Sequence, residues 1–227
     1  MQIAEIQLYT NRLRAQKVFY HEVFGLPLVA DTPTSFTVQT GTSTITFVET
    51  PDALPSIYHV AFNIPENQLA AAKRWLTTRV PLLQNGASDE WFFADWNAHA
   101  IYYLDAAGNI LEFIARHNLP TATQQPFTWQ SILAVSEIGL ATPDVRDFCQ
   151  QLKSHLGLER WRGNDTDFAA VGDEEGLFII SLNGRPWNGS ESPAQLLPTK
   201  IVLRGDHDRE VRFDRLPYQI FVKAATR

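Results

Sequence analysis

The chain of 227 residues carries 19 Lys and Arg against 25 Asp and Glu, a formal charge of −6, with 44% apolar residues. This profile suits one large globular domain or two small ones and excludes intrinsic disorder. The acidic balance argues against a phosphate-backbone partner, and no apolar run approaches the roughly 18 residues of a membrane span, so neither nucleic acid nor a membrane is an expected partner. Met1 is followed by no basic-then-apolar leader pattern and the single Cys149 can form no internal disulfide, so a cytoplasmic location is expected.

Residues 3–10 alternate, with Ile6, Leu8 and Thr10 on one face and Glu5, Gln7 and Tyr9 on the other, which predicts a strand between two different environments. Leu13, Val18, Phe19, Val23 and Phe24 then recur at helical spacing, and Gly25 supplies a left-handed stop. Strands over 35–40 and 43–49 flank Thr40-Gly41 and complete a strand–helix–strand–strand unit. A second unit opens at Ile57, with a strand over 58–64, a helix over 67–79 after Pro65, and strands over 90–94, 99–104 and 109–115. The last two are joined by Asp105-Ala106-Ala107-Gly108-Asn109, a run of turn formers that reads as a hairpin. Residues 118–131, rich in Pro, Thr and Gln as far as Thr128, read as a linker.

From Ile132 the chain repeats itself. An offset of 132 lays Glu5-Ile6-Gln7-Leu8-Tyr9-Thr10 on Glu137-Ile138-Gly139-Leu140-Ala141-Thr142, Arg14 on Arg146 and Gly25-Leu26 on Gly157-Leu158, seven identities in 22 positions without a gap. Thr34 and Phe36 fall on Thr166 and Phe168 in the same register. The final stretch keeps strand-like Lys200–Leu203 and Tyr218–Val222, but Gly205–Arg212 is too short and polar for the missing helix. The expected fold is α+β: modules 1–50 and 57–117 in a first domain, and 132–227 as a second whose last module is degenerate.

Alternation also assigns faces. If Ile6 and Leu8, Val60 and Phe62, and Leu111 and Phe113 pack under the helices, then Glu5, His59 and Glu112 turn to the opposite face of their strands. A curved sheet with helices on its outer side makes that face concave, where one imidazole and two carboxylates suit a divalent metal with open coordination positions. Any one of the three taken singly is more often a solvated Glu or a hydrogen-bonded His than a ligand; three on one face are less easily explained that way.

The strand Tyr58-His59-Val60-Ala61-Phe62, the segment Ile101-Tyr102-Tyr103-Leu104-Asp105-Ala106-Ala107-Gly108-Asn109-Ile110-Leu111-Glu112-Phe113 and the helix end Val18-Phe19-Tyr20-His21-Glu22-Val23-Phe24-Gly25-Leu26 resemble the vicinal oxygen chelate superfamily, which includes glyoxalase I, the bleomycin-resistance proteins and the extradiol ring-cleaving dioxygenases. That family's closing signature is an aromatic pair, Asp-Pro, any residue, Gly-Asn, two residues and the metal-binding Glu; here Ala106 takes the place of Pro. The resemblance implies paired βαβββ modules closing a half-barrel around a metal, with ligands from the first strand of each module and the last strand of the second. These positions hold Glu5, His59 and Glu112, with Glu5 in place of a His or Gln, and the ion, whether iron, nickel, zinc or manganese, is left unspecified. Thr46 at the fourth glyoxalase ligand position weighs against a strict glyoxalase I, and one His with two carboxylates weighs less heavily against a ring-cleaving dioxygenase.

In the second half Glu137 repeats Glu5, but Lys200, Phe178 and Gln219 or Tyr218 occupy the other ligand positions, so a metal-free half is expected, with Glu137 and Lys200 as a candidate ion pair. Glu112 doubles as a candidate base, and Tyr102 matches the acid/base Tyr of extradiol enzymes. Trp91, Phe93 and Trp96 are candidate pocket walls, and His99 joins them although its parity points to the helix side. The activity implied is a metal-dependent lyase or isomerase, or a ring-cleaving dioxygenase, on a small substrate with vicinal oxygens. A metal-free protein that sequesters a small apolar ligand is the alternative. A homodimer is compatible with either.

Overall fold

A computed structural model describes residues 1–51 and 57–224. The chain runs through three βαβββ modules and a helix-less fourth. The first comprises β1 (Gln2–Thr10), α1 (Leu13–Lys17, continued by a π-helical turn Val18–Val23), β2 (Leu28–Thr32), β3 (Ser35–Thr40) and β4 (Ser43–Glu49). The second comprises β5 (His59–Ile64), α2 (Leu69–Thr77), β6 (Trp91–Phe93), β7 (Ala98–Leu104) and β8 (Ile110–Arg116). The third comprises β9 (Ala134–Thr142), α3 (Val145–Leu156), β10 (Arg160–Gly163), β11 (Phe168–Asp173) and β12 (Gly176–Leu182). Strands β13 (Thr199–Gly205), β14 (Arg209–Phe213) and β15 (Leu216–Ala224) form the fourth. β2 was not expected from the sequence: Val29 to Thr32 are exposed on a sheet edge, so no alternation of burial marks them. Among the described residues no helix is long and apolar enough to cross a membrane.

The modules do not pair in the order of the chain. One seven-stranded sheet runs β14-β15-β13-β1-β4-β3-β2 and joins the first module to the fourth; an eight-stranded half-barrel runs β10-β11-β12-β9-β5-β8-β7-β6 and joins the second to the third. At the first seam Gln7 lies opposite Lys200 and Glu5 opposite Val202; at the second, Ala61 lies opposite Glu137 and Val60 opposite Ile138.

The helices are shared by both sheets. Phe24, at the end of the first helix, meets Trp75 of α2 at 5.1 Å and Tyr103 of β7 at 5.7 Å, while Tyr20 meets Phe47 of β4 at 4.8 Å. Ile6 and Leu8 of one sheet and Val60, Phe62, Leu111 and Phe113 of the other belong to one continuous core, on the faces that alternation assigned them. The hairpin turn is tied to α1 through Asp105, whose carboxylate accepts from Gln16 Nε2 (2.6 Å), Tyr20 Oη (3.0 Å) and Asn109 Nδ2 (2.7 Å). Burial pushes the Asp105 carboxyl up, and these hydrogen bonds only partly offset it. The sheets also meet at the β3–β4 turn, where Thr42 N–H donates to Leu133 O at 2.9 Å and Ser43 Oγ bridges Ile3 O and Val135 N–H. Gly41 (φ +57°) is required there, because a Cβ would stand 1.9 Å from Leu133 O.

A second, smaller apolar cluster lies on the other face of the eight-stranded sheet and includes Ala61, Tyr102, Ile114, Ala141 and Ile179. Residues 183–198, between β12 and β13, fold over this face as a flap that places Trp187 in the cluster. The flap is closed on itself by Gly184 N–H to Ala194 O (2.8 Å), Ala194 N–H to Arg185 O (2.8 Å) and Trp187 N–H to Ser192 O (3.1 Å).

Candidate metal centre

Three acid–base side chains converge beneath the flap. His59 opens β5, and its Nδ1 lies 3.3 Å from Ile110 O, the geometry of a ring N–H donating to a carbonyl, which leaves Nε2 as a lone-pair ligand. That Nε2 lies 3.6 Å from Glu112 Oε2 and 3.6 Å from Glu137 Oε2. One ligand atom from each of the three falls within 4.8 Å of the others, and all three residues are buried.

Each carboxylate has a support of its own. Tyr102 stands opposite Glu112 in the β7–β8 ladder and lines the same cavity, with Asn188 of the flap at its wall. Glu137 is paired with the guanidinium of Arg116, which is 1% exposed and also donates from Nε to Asn63 Oδ1 at 3.1 Å. The rings of Trp96 and Trp161 lie 5.4 and 5.8 Å from that guanidinium. Burial pushes the Glu112 carboxyl well up from the usual range, with the Glu137 charge adding to it; burial and the same two carboxylates push the Tyr102 phenol up as well.

The paired modules show where a fourth ligand is missing. Glu112 lies opposite Ala61, two residues after His59; at the corresponding place in the third module Ile179 lies opposite Gly139, two residues after Glu137. An aliphatic side chain there offers no donor, so three candidate ligands remain beside a cavity of about 170 Å³, lined by the cluster together with Tyr102, Trp96 and Trp187. Trp187 packs on His59 with ring centroids 5.3 Å apart. Gly139 makes this approach fit, since a Cβ would stand 2.5 Å from the Trp187 ring and 3.0 Å from His59 Cβ.

The structure brings His59 and Glu112 together but not Glu5, which is exposed on the seven-stranded sheet between Thr44 and Val202. Its place is taken by Glu137, the same position in the repeat, because β5 pairs with β9 and not with β1. The expected Glu137–Lys200 pair does not form, since the two lie on different sheets; Lys200 sits 5.1 Å over the Phe221 ring. Thr46 bonds Thr37 at 2.8 Å on the seven-stranded sheet, Phe178 is in the core, and Tyr218 donates to Ala141 O at 2.6 Å. Phe93 and Trp96 line the cavity. Trp91 instead packs edge-on against Tyr102 at 4.7 Å, and His99 faces away, 2.8 Å from His117 and stacked on exposed Phe92. Sequence reasoning passed over Arg116, Arg185, Trp187 and Asn188; the last three lie in a loop with no periodic signal.

A family profile, the Glyoxalase/Bleomycin resistance protein/Dioxygenase superfamily, matches residues 2–162. No curated protein matches the sequence. Among solved structures, a "putative dioxygenase" from Bacillus subtilis superposes with a TM-score of 0.65 at 17% identity, over 99% of this chain and 85% of that one. A point mutant of glyoxalase I from Zea mays gives 0.62 at 12% identity, over 98% and 93%. At these identities the likeness is one of fold.

Proposed function

Because the chain belongs to the glyoxalase, bleomycin resistance protein and dioxygenase superfamily, we propose that it is a divalent-metal-dependent enzyme acting on a small substrate with two neighbouring oxygens, its ion held by His59, Glu112 and Glu137. The observation that carries this reading is the buried convergence of three ligand atoms within 4.8 Å. The donor set fits a divalent ion: the imidazole presents Nε2, and the Glu137 oxygen facing it is not the one paired with Arg116. A binder of apolar ligands would gain nothing from two dry carboxylates with a single guanidinium paired to one of them, an arrangement costly to bury.

An ion held by His59, Glu112 and Glu137 would supply Lewis acidity to a substrate with neighbouring oxygens. The chain's own groups do the rest. Tyr102 stands beside Glu112 at the cavity, so the phenol and the carboxylate can pass a proton to or from substrate. Trp187 and Trp96 exclude water, while Arg116 pairs with the Glu137 carboxylate and so orients it. The cavity of about 170 Å³ suits a single ring or a short carbon chain, since an engineered cavity of roughly 150 Å³ holds benzene. That size favours a compact diol or hydroxy-carbonyl compound over a peptide conjugate.

Elemental analysis of protein purified without a chelating tag tests the assignment, with about one ion per chain expected. Glu112→Gln and Glu137→Gln should each abolish retention and Glu5→Gln should leave it intact; retention by both site variants would sink the assignment. Oxygen uptake on catechols with bound iron selects ring cleavage, whereas bound nickel or zinc without uptake selects an isomerase or lyase.

A pH dependence follows from Glu112. In ion-free protein its native carboxyl binds a proton more tightly than in the unfolded chain, so between the ordinary Glu range and its raised native value the folded state carries the extra proton. Stability therefore falls as pH rises through that window, and Asp105 contributes with the same sign. Ion uptake must displace the proton, so affinity should strengthen with pH. Thermal unfolding and ion titration between about pH 5 and about pH 8 check both directions; an ion affinity flat across that range would contradict this account.

A further inference from the structure

The flap presents N–H donors to the cavity on the side facing the carboxylates. Arg185, Trp187 and Asn188 all line it. Arg185 is held in place by three contacts: its guanidinium lies 5.2 Å from the Phe168 ring centroid, Nε lies 3.4 Å from Asp167 Oδ2, and Nη1 donates to Pro186 O at 3.3 Å. Nη2 has no hydrogen-bond partner among the described residues. Trp187 is 5% exposed, and its indole Nε1 is buried without an acceptor. A buried donor without an acceptor, as at the Trp187 indole, is uncommon in folded proteins, and at a cavity wall it points to a ligand that brings the acceptor, toward which the 28%-exposed Arg185 side chain adds a guanidinium.

Charge points the same way. Once a divalent ion is bound, the Glu112 and Glu137 carboxylates balance it. Arg116, beside Glu137, and Arg185 then add two positive charges against the single negative charge of Asp167, whose side chain is 48% exposed at the rim. A neutral ligand leaves the enclosed site with excess positive charge, and an anionic one removes it.

We propose, building on the metal-enzyme reading, that the flap is a specificity site for a substrate carboxylate, with Arg185 as its principal partner and the Trp187 indole N–H as a second donor. A planar guanidinium matches a carboxylate's two oxygens, and Phe93, Trp96 and Ile179 receive the apolar remainder of the molecule. The substrate class is thus a small carboxylic acid that also bears two neighbouring oxygens.

Catechol and 3,4-dihydroxybenzoate test this, since they share the ring and the vicinal oxygens and differ by the carboxylate. Their affinities are measured anaerobically on ion-loaded protein through quenching of tryptophan emission. Wild type should bind the acid about ten-fold more tightly. Arg185→Met should bring the ratio close to one, chiefly through weaker binding of the acid, at unchanged ion content, and Arg185→Lys should restore part of the preference. Equal affinities in wild type, or a ratio that survives Arg185→Met, would overturn the proposal. If the protein retains no ion, the metal assignment falls separately, and the same ratio on ion-free wild type and Arg185→Met still decides the carboxylate site.

Discussion

Replacing Arg116 with Met is expected to lower the unfolding free energy of the ion-free protein by about 3–5 kcal/mol, the range for breaking a buried ion pair from one side. Met keeps most of the apolar volume between Trp96 and Trp161, so the loss is electrostatic rather than a cavity effect. What remains is a Glu137 carboxylate without its cation, beside a second buried carboxylate and an Asn63 oxygen stripped of its donor. Two controls separate the causes. Excess divalent ion should return part of the stability by mass action, since it takes over the role of the guanidinium. Adding Glu137→Gln should restore most of it while removing ion binding, a coupling measurable by denaturant unfolding of the two single variants and the double variant. An Arg116→Met protein as stable as wild type without ion would refute the electrostatic account.

Gly139→Ala is expected to cost about 1–3 kcal/mol, as overpacking does, and to open the cavity. The added Cβ meets the edge of Trp187 at 2.5 Å and His59 Cβ at 3.0 Å. His59 is fixed in a central strand, so the indole gives way and carries the flap with it. A red-shifted tryptophan emission and faster proteolysis within 183–198 should accompany the loss of stability. Unchanged emission and cleavage would mean that the Trp187–His59 packing is not what seats the flap.

How much of this could be read from the sequence depends on which physical rule was at work. Strand alternation is local, so it placed His59 and Glu112 on the concave face, with Val60, Phe62, Leu111 and Phe113 beneath the helices, while Tyr102 was found through the family resemblance. It says nothing about which strands become neighbours, and for that reason Glu5 was grouped with the wrong partners. A clue lay in the company each Glu keeps. On β1 the outward residues are Glu5, Gln7 and Tyr9, a face that water can solvate, whereas on β9 Glu137 shares its face with Gly139 and Ala141. One carboxylate among small residues marks a closely covered surface, and β9 is buried from Val135 to Thr142. Arg116 lies two positions beyond Ile114 on the Glu112 face and follows the same parity, but a terminal Arg on a strand ordinarily reaches solvent. The flap residues carry no periodicity, so only the fold brings them to the site.

The two sheets face opposite demands during folding. All strands of the half-barrel come from the contiguous stretch between His59 and Leu182, whereas the other sheet closes only when β13 finds β1 from the far end of the chain. Loop-closure entropy grows only as the logarithm of length, so this distant seam is a minor thermodynamic burden, but such non-local pairing is slow to form. The site-bearing sheet can therefore nucleate first, with the first and fourth modules zipping together around it as a late clasp. Met1 adds the last tie, its ammonium paired with Asp173 at the end of β11.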